Sequence, residues 1–149
     1  MMERSKSTLF LIEQLIVIAV FALCATACIS ILANAYFMAK DSRDISNALF
    51  AAESVADSFK AVSGDFENAA RISGGTARNI DGANEIIVFF DNNWQVSDKG
   101  TAFYVLRLVS DIHGSFPYGL IMTDLSVERI DGNDELVNFP VAVRTGGAR

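Results

Sequence analysis

Residues 9–39 read LFLIEQLIVIAVFALCATACISILANAYFMA, and this stretch decides the fold class. Glu13 carries its only charge, and the 25 residues from Leu15 to Ala39 carry none. As a helix, that charge-free run extends about 37 Å, which exceeds the roughly 30 Å thickness of a bilayer's hydrocarbon core. Because lipid offers no partners for free backbone groups, the segment is predicted to cross a membrane as a helix.

The composition of the whole chain is that of a folded, acidic protein. Of its 149 residues, 51% are hydrophobic and 20% are charged, which excludes a disordered chain. The formal net charge of −6 lies after the apolar segment, since residues 1–39 hold two basic and two acidic residues, whereas residues 40–149 hold ten and sixteen. Phosphate binding needs concentrated Lys and Arg, so no nucleic-acid partner is expected.

The flanks of the apolar segment predict its orientation. Arg4 and Lys6 precede it within a short leader, which favours a cytoplasmic N-terminus and a C-terminal part outside the cell membrane. The rival interpretation is a secretory signal peptide, with an A-x-A-like cleavage site at residues 25–27, or a lipoprotein lipidated at Cys28. The apolar run continues past Cys28 to Met38 without a break, which favours the membrane span.

The helical period continues beyond Ala39, although the composition becomes polar. Charged residues, Asp44 among them, fall mainly outside an apolar stripe with three- and four-residue steps. This stripe comprises Ile45, Ala48, Leu49, Ala52, Val55, Ala56, Phe59 and Val62. No Gly or Pro occurs before Gly64. One helix is therefore predicted from about Ser7 to Ser63, with residues 9–39 in the membrane and residues 40–63 amphipathic.

The remainder of the chain is predicted to form a β-sheet head. Residues 64–84, with Gly74-Gly75 and Asp81-Gly82, are interpreted as a connecting loop, residues 85–145 as an antiparallel sheet of four or five strands, and residues 146–149 as a flexible tail. The predicted strands are 85–90, 94–97, 102–109, 118–130 and 136–144. Short loops between them, above all residues 131–134, indicate a meander. The expected fold class is α+β, with a long N-terminal helix packed on the sheet.

The segment Ser7–Ile18, STLFLIEQLIVI, resembles the N-terminal motif of type IV pilins and pseudopilins. That family has a short charged leader, a small residue at a cleavage position, about four apolar residues, a glutamate and an apolar helix. The resemblance implies that a prepilin peptidase cuts between Thr8 and Leu9, that the new amine of Leu9 is methylated, and that Glu13 neutralises an amine within a filament core. Thr8 stands where the family has glycine.

The physical chemistry of Glu13 fits that role. A carboxylate at membrane depth costs about 2.5–3.5 kcal/mol at a helix centre and less near an end, so a positive group is needed to compensate it. The alternative is that Glu13 reaches the membrane interface or is protonated.

Two functions follow from these observations. The first is a minor pilin or pseudopilin of a type IV filament for secretion, adhesion or DNA uptake, which associates with other pilin-like subunits and with the cytoplasmic membrane. The second is a single-pass membrane-anchored or secreted protein whose head is a binding module.

The reactive residues elsewhere predict no enzyme and no cofactor. Cys24 and Cys28 share one helix face, where they cannot form a disulfide within the helix and either pack against another helix or pair between chains. His113 is the only histidine and accompanies no nucleophile motif. The oxygen atoms of Asp131, Asn133 and Glu135 suit weak Ca²⁺ binding, and a plain turn is the alternative.

Overall fold

A computed structural model describes residues 2–110, 119–132 and 134–145, with side chains from Thr8 onward. His113, Asn133 and the tail 146–149 lie outside the described residues. The chain divides into two compact units, Met1–Ser42 and Arg43–Arg149. Helix α1 runs over Met2–Ala61 and so contributes to both units. The long helix predicted from the hydropathy pattern is present.

The second unit adds a short helix and five strands to the end of α1. These elements are α2 (Phe66–Ser73), β1 (Thr76–Ile80), β2 (Ala83–Phe90), β3 (Tyr104–Ser110), β4 (Leu120–Arg129) and β5 (Asp134–Arg144). The strands form one sheet in the order β1-β2-β3-β4-β5, and every neighbouring pair is antiparallel. The fold is therefore α+β, with a helix packed on an antiparallel meander, as predicted.

The core of the second unit lies between α1 and one face of the sheet. Alternate residues of each strand point to this face. The sheet contributes Ile86, Val88, Phe90, Tyr104, Leu106, Leu108, Leu125, Val127, Val141 and Val143, and α1 contributes Ala48, Ala52, Val55, Ala56 and Phe59. Phe59 is fully buried and its ring meets that of Phe66 edge-on, with centroids 4.8 Å apart.

The buried face of α1 differs from the predicted stripe. Ile45 and Leu49 are 46% and 41% exposed, whereas Asp44, predicted to lie outside the stripe, is only 8% exposed. Asp44, Ala48, Ala52 and Ala56 recur every four residues, and such residues lie on one helix face. The large aliphatic side chains of the sheet already occupy the core layer, so small residues of the helix complete it at close-packed density. The prediction that Ile45 and Leu49 supply the core was wrong.

The predicted connecting loop over residues 64–84 was also wrong, because it contains α2 and β1. The Asp65 carboxylate accepts hydrogen bonds from the backbone N–H groups of Glu67 and Asn68, which caps α2. At Gly75 a Cβ atom would lie 2.5 Å from the Ile87 carbonyl oxygen, so only glycine lets β1 begin this close to β2. Asp81 and Gly82 both have positive φ, 51° and 90°, as a two-residue hairpin turn between β1 and β2 requires.

The predicted strand over residues 94–97 is replaced by an irregular segment between β2 and β3. Only an isolated bridge pairs Val96 with Phe90. Trp94 instead stacks on Tyr104, with ring centroids 4.1 Å apart and planes inclined by 19°. The indole packs against the helix-facing core. Trp94 has a positive φ of 60°, which lies outside the β region and excludes it from a strand.

Candidate functional site

Thr8, Leu9 and Glu13, the residues singled out by sequence, all lie in α1 and are exposed. Leu9 and Glu13 are four residues apart, so they lie on the same side of the helix, one turn from each other. Glu13 has no ion pair or hydrogen bond with any residue whose side chain the structure describes. Its carboxylate is therefore uncompensated within the described part of the chain.

The helix surface around Glu13 is apolar. Exposed large side chains between Leu9 and Met38 are Leu9, Phe10, Leu11, Ile12, Leu15, Ile16, Val17, Ile18, Val20, Phe21, Leu23, Ile29, Ile31, Leu32, Tyr36, Phe37 and Met38. Soluble proteins rarely expose a continuous apolar surface of this extent. Among the described residues, α1 is the one helix long and apolar enough to cross a membrane, by length and composition.

Two hydroxyl groups of this segment form hydrogen bonds within the helix. The hydroxyl of Thr26 donates to the Ala22 carbonyl at 2.8 Å, and that of Ser30 donates to the Thr26 carbonyl at 2.9 Å. Such bonds to the carbonyl one turn earlier remove the need for an outside partner. Cys24 and Cys28 are free thiols on the exposed surface. Glu13 is the only charged residue of this segment, and no described side chain compensates its charge.

A second carboxylate of α1 has the opposite surroundings. Asp44 accepts a hydrogen bond from Arg129 Nη2 on β4 at 2.9 Å, and Arg129 Nη1 also lies 3.8 Å from Asp134 Oδ2. Burial raises the pKa of the Tyr104 hydroxyl, and the neighbouring Asp44 carboxylate raises it further. This ion pair joins α1 to the sheet across 85 residues of sequence. No local pattern signals a pair so distant, and the sequence analysis missed it.

The described residues contain no group of three or more His, Cys, Asp or Glu side chains able to hold a metal ion. Of the residues considered for Ca²⁺, Asp131 is exposed, Glu135 accepts a hydrogen bond from the Asn138 amide at 3.0 Å, and Asn133 lies outside the described residues. The Glu135 carboxylate is therefore hydrogen-bonded to a residue of its own strand, β5.

The chemistry offered by residues 9–39 of α1 is therefore recognition by an apolar surface and one uncompensated carboxylate, Glu13. Comparisons of the chain with protein-family models, curated proteins and solved structures found no match.

Proposed function

We propose that the chain is a non-enzymatic structural subunit, of minor pilin or pseudopilin type, in a type IV filament used for secretion, adhesion or DNA uptake. Its apolar segment anchors it in the cell membrane before assembly, with the N-terminus cytoplasmic and the head outside. In the filament, the same segments of neighbouring pilin-like subunits pack together. The observation that carries this proposal is the uncompensated Glu13 in an otherwise apolar, exposed helix surface.

The contrast with Asp44 supports an external partner for Glu13. The chain supplies Arg129 to the carboxylate that it buries in the head, but no described side chain to the carboxylate at membrane depth. Glu13 lies four residues after Leu9, at which the pilin resemblance places the mature N-terminus. In the filament, the adjacent subunit is displaced along the axis, and the positively charged amine of its Leu9 compensates the Glu13 carboxylate. The surroundings have a low dielectric constant, in which an ion pair is strong.

The first experiment replaces Glu13. Glu13→Gln keeps the size of the side chain and removes its charge, so membrane insertion is retained or improved while incorporation into filaments falls. Carbonate extraction measures insertion, and cross-linking of sheared fibres measures assembly. Glu53→Gln is the matched control, since Glu53 is an exposed carboxylate of the same helix within the head. Unchanged assembly of Glu13→Gln would show that Glu13 only reaches the membrane interface.

A second candidate function is a membrane-anchored binding module, and a cleft of about 390 Å³ lined by residues of four strands favours it. N-terminal sequencing of the mature protein discriminates between the two functions. A start at Leu9 supports the filament subunit and names prepilin peptidase as a partner, whereas a start at Cys28 supports the lipoprotein and removes Glu13 from the mature chain. An intact N-terminus leaves a filament subunit only as an unprocessed variant.

A further inference from the structure

The face of the sheet that points away from the core carries a cleft of about 390 Å³. Ile87, Phe89 and Val105 form its apolar floor. Ile87 and Val105 are only 5% and 7% exposed, although neither belongs to the cluster that packs with α1. The cleft is thus a sheltered concavity, and its volume lies at the small end of the range for ligand pockets.

The charges around this floor are mainly positive, in a head whose net charge is negative. Its lining includes Arg78, Lys99, Arg107 and Arg129 but a single carboxylate, Glu128. Arg78 is paired with Glu85 at 3.2 Å, and Arg129 is engaged by Asp44 at 2.9 Å. Two of the four cations are therefore committed to carboxylates of the same unit.

Lys99 and Arg107 differ from the other two cations. Within the described residues, the side chain of neither forms an ion pair or a hydrogen bond. Arg107 projects from the middle of β3, where its strand partners are Ile87 and Ser126, so it stands beside the apolar floor. A guanidinium offers paired donors that match the geometry of a carboxylate or a phosphate.

We propose that this cleft binds a small organic anion, in which an apolar body covers Ile87, Phe89 and Val105 while its carboxylate or phosphate engages Arg107 and Lys99. A cation is disfavoured by the excess positive charge, and a neutral apolar molecule leaves both cations without a partner. An inorganic anion leaves the floor uncovered. Only a molecule with both parts uses both features of the cleft. This binding does not depend on filament assembly.

Binding of small probes to the full chain is measured by saturation-transfer NMR, with the chain held in nanodiscs of anionic lipid. The anionic lipid repels free anions and so limits binding of the probes to the membrane. Phenyl phosphate and benzoate are the probes, and they distinguish a phosphate from a carboxylate as the preferred group. Inorganic phosphate lacks the apolar body, and benzyl alcohol lacks the charge. We expect phenyl phosphate or benzoate to bind more tightly than both partial probes, with an affinity that falls as salt is added.

The variant is the double substitution Arg107→Met, Lys99→Met, which keeps an unbranched, flexible stem at each position and removes both charges. Arg144→Met with Lys60→Met is the matched control, because it changes the net charge equally at exposed residues outside the cleft. We expect the cleft variant to bind at least about tenfold more weakly and the control to bind as the wild type does. Unfolding melts establish that both variants remain folded.

Three outcomes would overturn the proposal. One is equal binding by the cleft variant and the wild type, and another is an equal loss in the control, which would make the effect one of net charge alone. The third is binding of inorganic phosphate as tight as that of phenyl phosphate. None of these outcomes bears on assembly, so the filament role stands or falls separately.

Discussion

The two halves of helix α1 show that hydrophobicity and burial are different properties. Residues 15–39 carry no charge, yet their large side chains are exposed. Residues 43–61 carry five charged side chains, yet this half buries a complete face formed largely by alanines. Burial within the chain depends on whether the chain also supplies the opposing surface. The sheet covers the second half, whereas no described residue buries the large apolar side chains of the first.

The largest expected effect comes from separating these halves. A chain that begins at Asp41 should be a soluble, folded monomer, because it loses the exposed apolar surface and keeps the face that packs on the sheet. A chain that begins at Asp65 also loses Ala48, Ala52 and Phe59, so one sheet face becomes bare and the fragment should aggregate or fail to fold. Size-exclusion chromatography and urea melts compare the two. A stable, monomeric 65–149 fragment would contradict the assignment of the second half to the core.

The next largest effect is expected when one aromatic residue of each half is replaced by alanine and the stability of the head is compared. Phe59→Ala removes a fully buried ring that packs on Phe66, so the head should lose about 3–5 kcal/mol of unfolding free energy. Phe21→Ala removes an exposed ring from the apolar half and should leave head stability unchanged. Trp94 is the only tryptophan and packs in the head, so its fluorescence reports denaturant unfolding there. Equal effects of the two substitutions would remove the distinction between the halves.

A smaller effect compares the two carboxylates of α1. Asp44→Ala leaves Arg129 partly buried without its principal partner, which should cost the head about 1–3 kcal/mol. Glu13→Ala should not change the unfolding of the head, since Glu13 belongs to the other compact unit. Arg129→Met added to Asp44→Ala should cost less than the sum of the two single substitutions, because the two side chains interact directly in the wild type. Strict additivity in Trp94-monitored melts would argue that the ion pair is not formed.

The smallest effect concerns the segment that follows the second half of α1, where Asp65 caps α2. Hydrogen bonds from Asn68, backbone first and then side chain, lower the pKa of the Asp65 carboxyl. Because the folded-state pKa lies below the unfolded one, this stabilisation is complete above the ordinary aspartate pKa and is lost as pH falls through the lowered value. Asp65→Asn keeps a capping oxygen that does not titrate. We expect it to flatten the pH dependence of the melting temperature between about pH 5 and pH 2, and an unchanged slope would exclude the cap as its source.

The sequence predicted those parts of the fold that have a repeating local pattern. The charge-free run and the continuous helical period located α1, and hairpin signals such as the one at residues 131–134 located the meander. Strand β1 was not predicted, because its five residues are mostly exposed and show little apolar alternation. The Asp81-Gly82 dipeptide that follows β1 is nevertheless typical of a hairpin turn. This dipeptide was the local signal from which β1 and its hairpin with β2 could have been predicted.

The errors on the helix have a different cause. Hydropathy favours Ile45 and Leu49 for a core, but the space left above the sheet suits Ala48 and Ala52. Which face of the helix turns inward depends on the shapes of residues that lie far along the chain, as does the pairing of Asp44 with Arg129. For the same reason, the cleft around Arg107 was not foreseen, since its lining comes from four strands and from Lys99 in the segment after β2.

The order of the strands has a consequence for how copies of this protein associate. A meander has two open edges, here β1 and β5. Open edges are where sheets of different molecules fuse. β1 is five residues long and carries Arg78. β5 is long but contains Pro140, and proline is tolerated in an edge strand where its nitrogen faces away from the ladder, so an added strand would meet no donor there. The described edges of the sheet are thus poorly suited to pairing with the strands of a second copy.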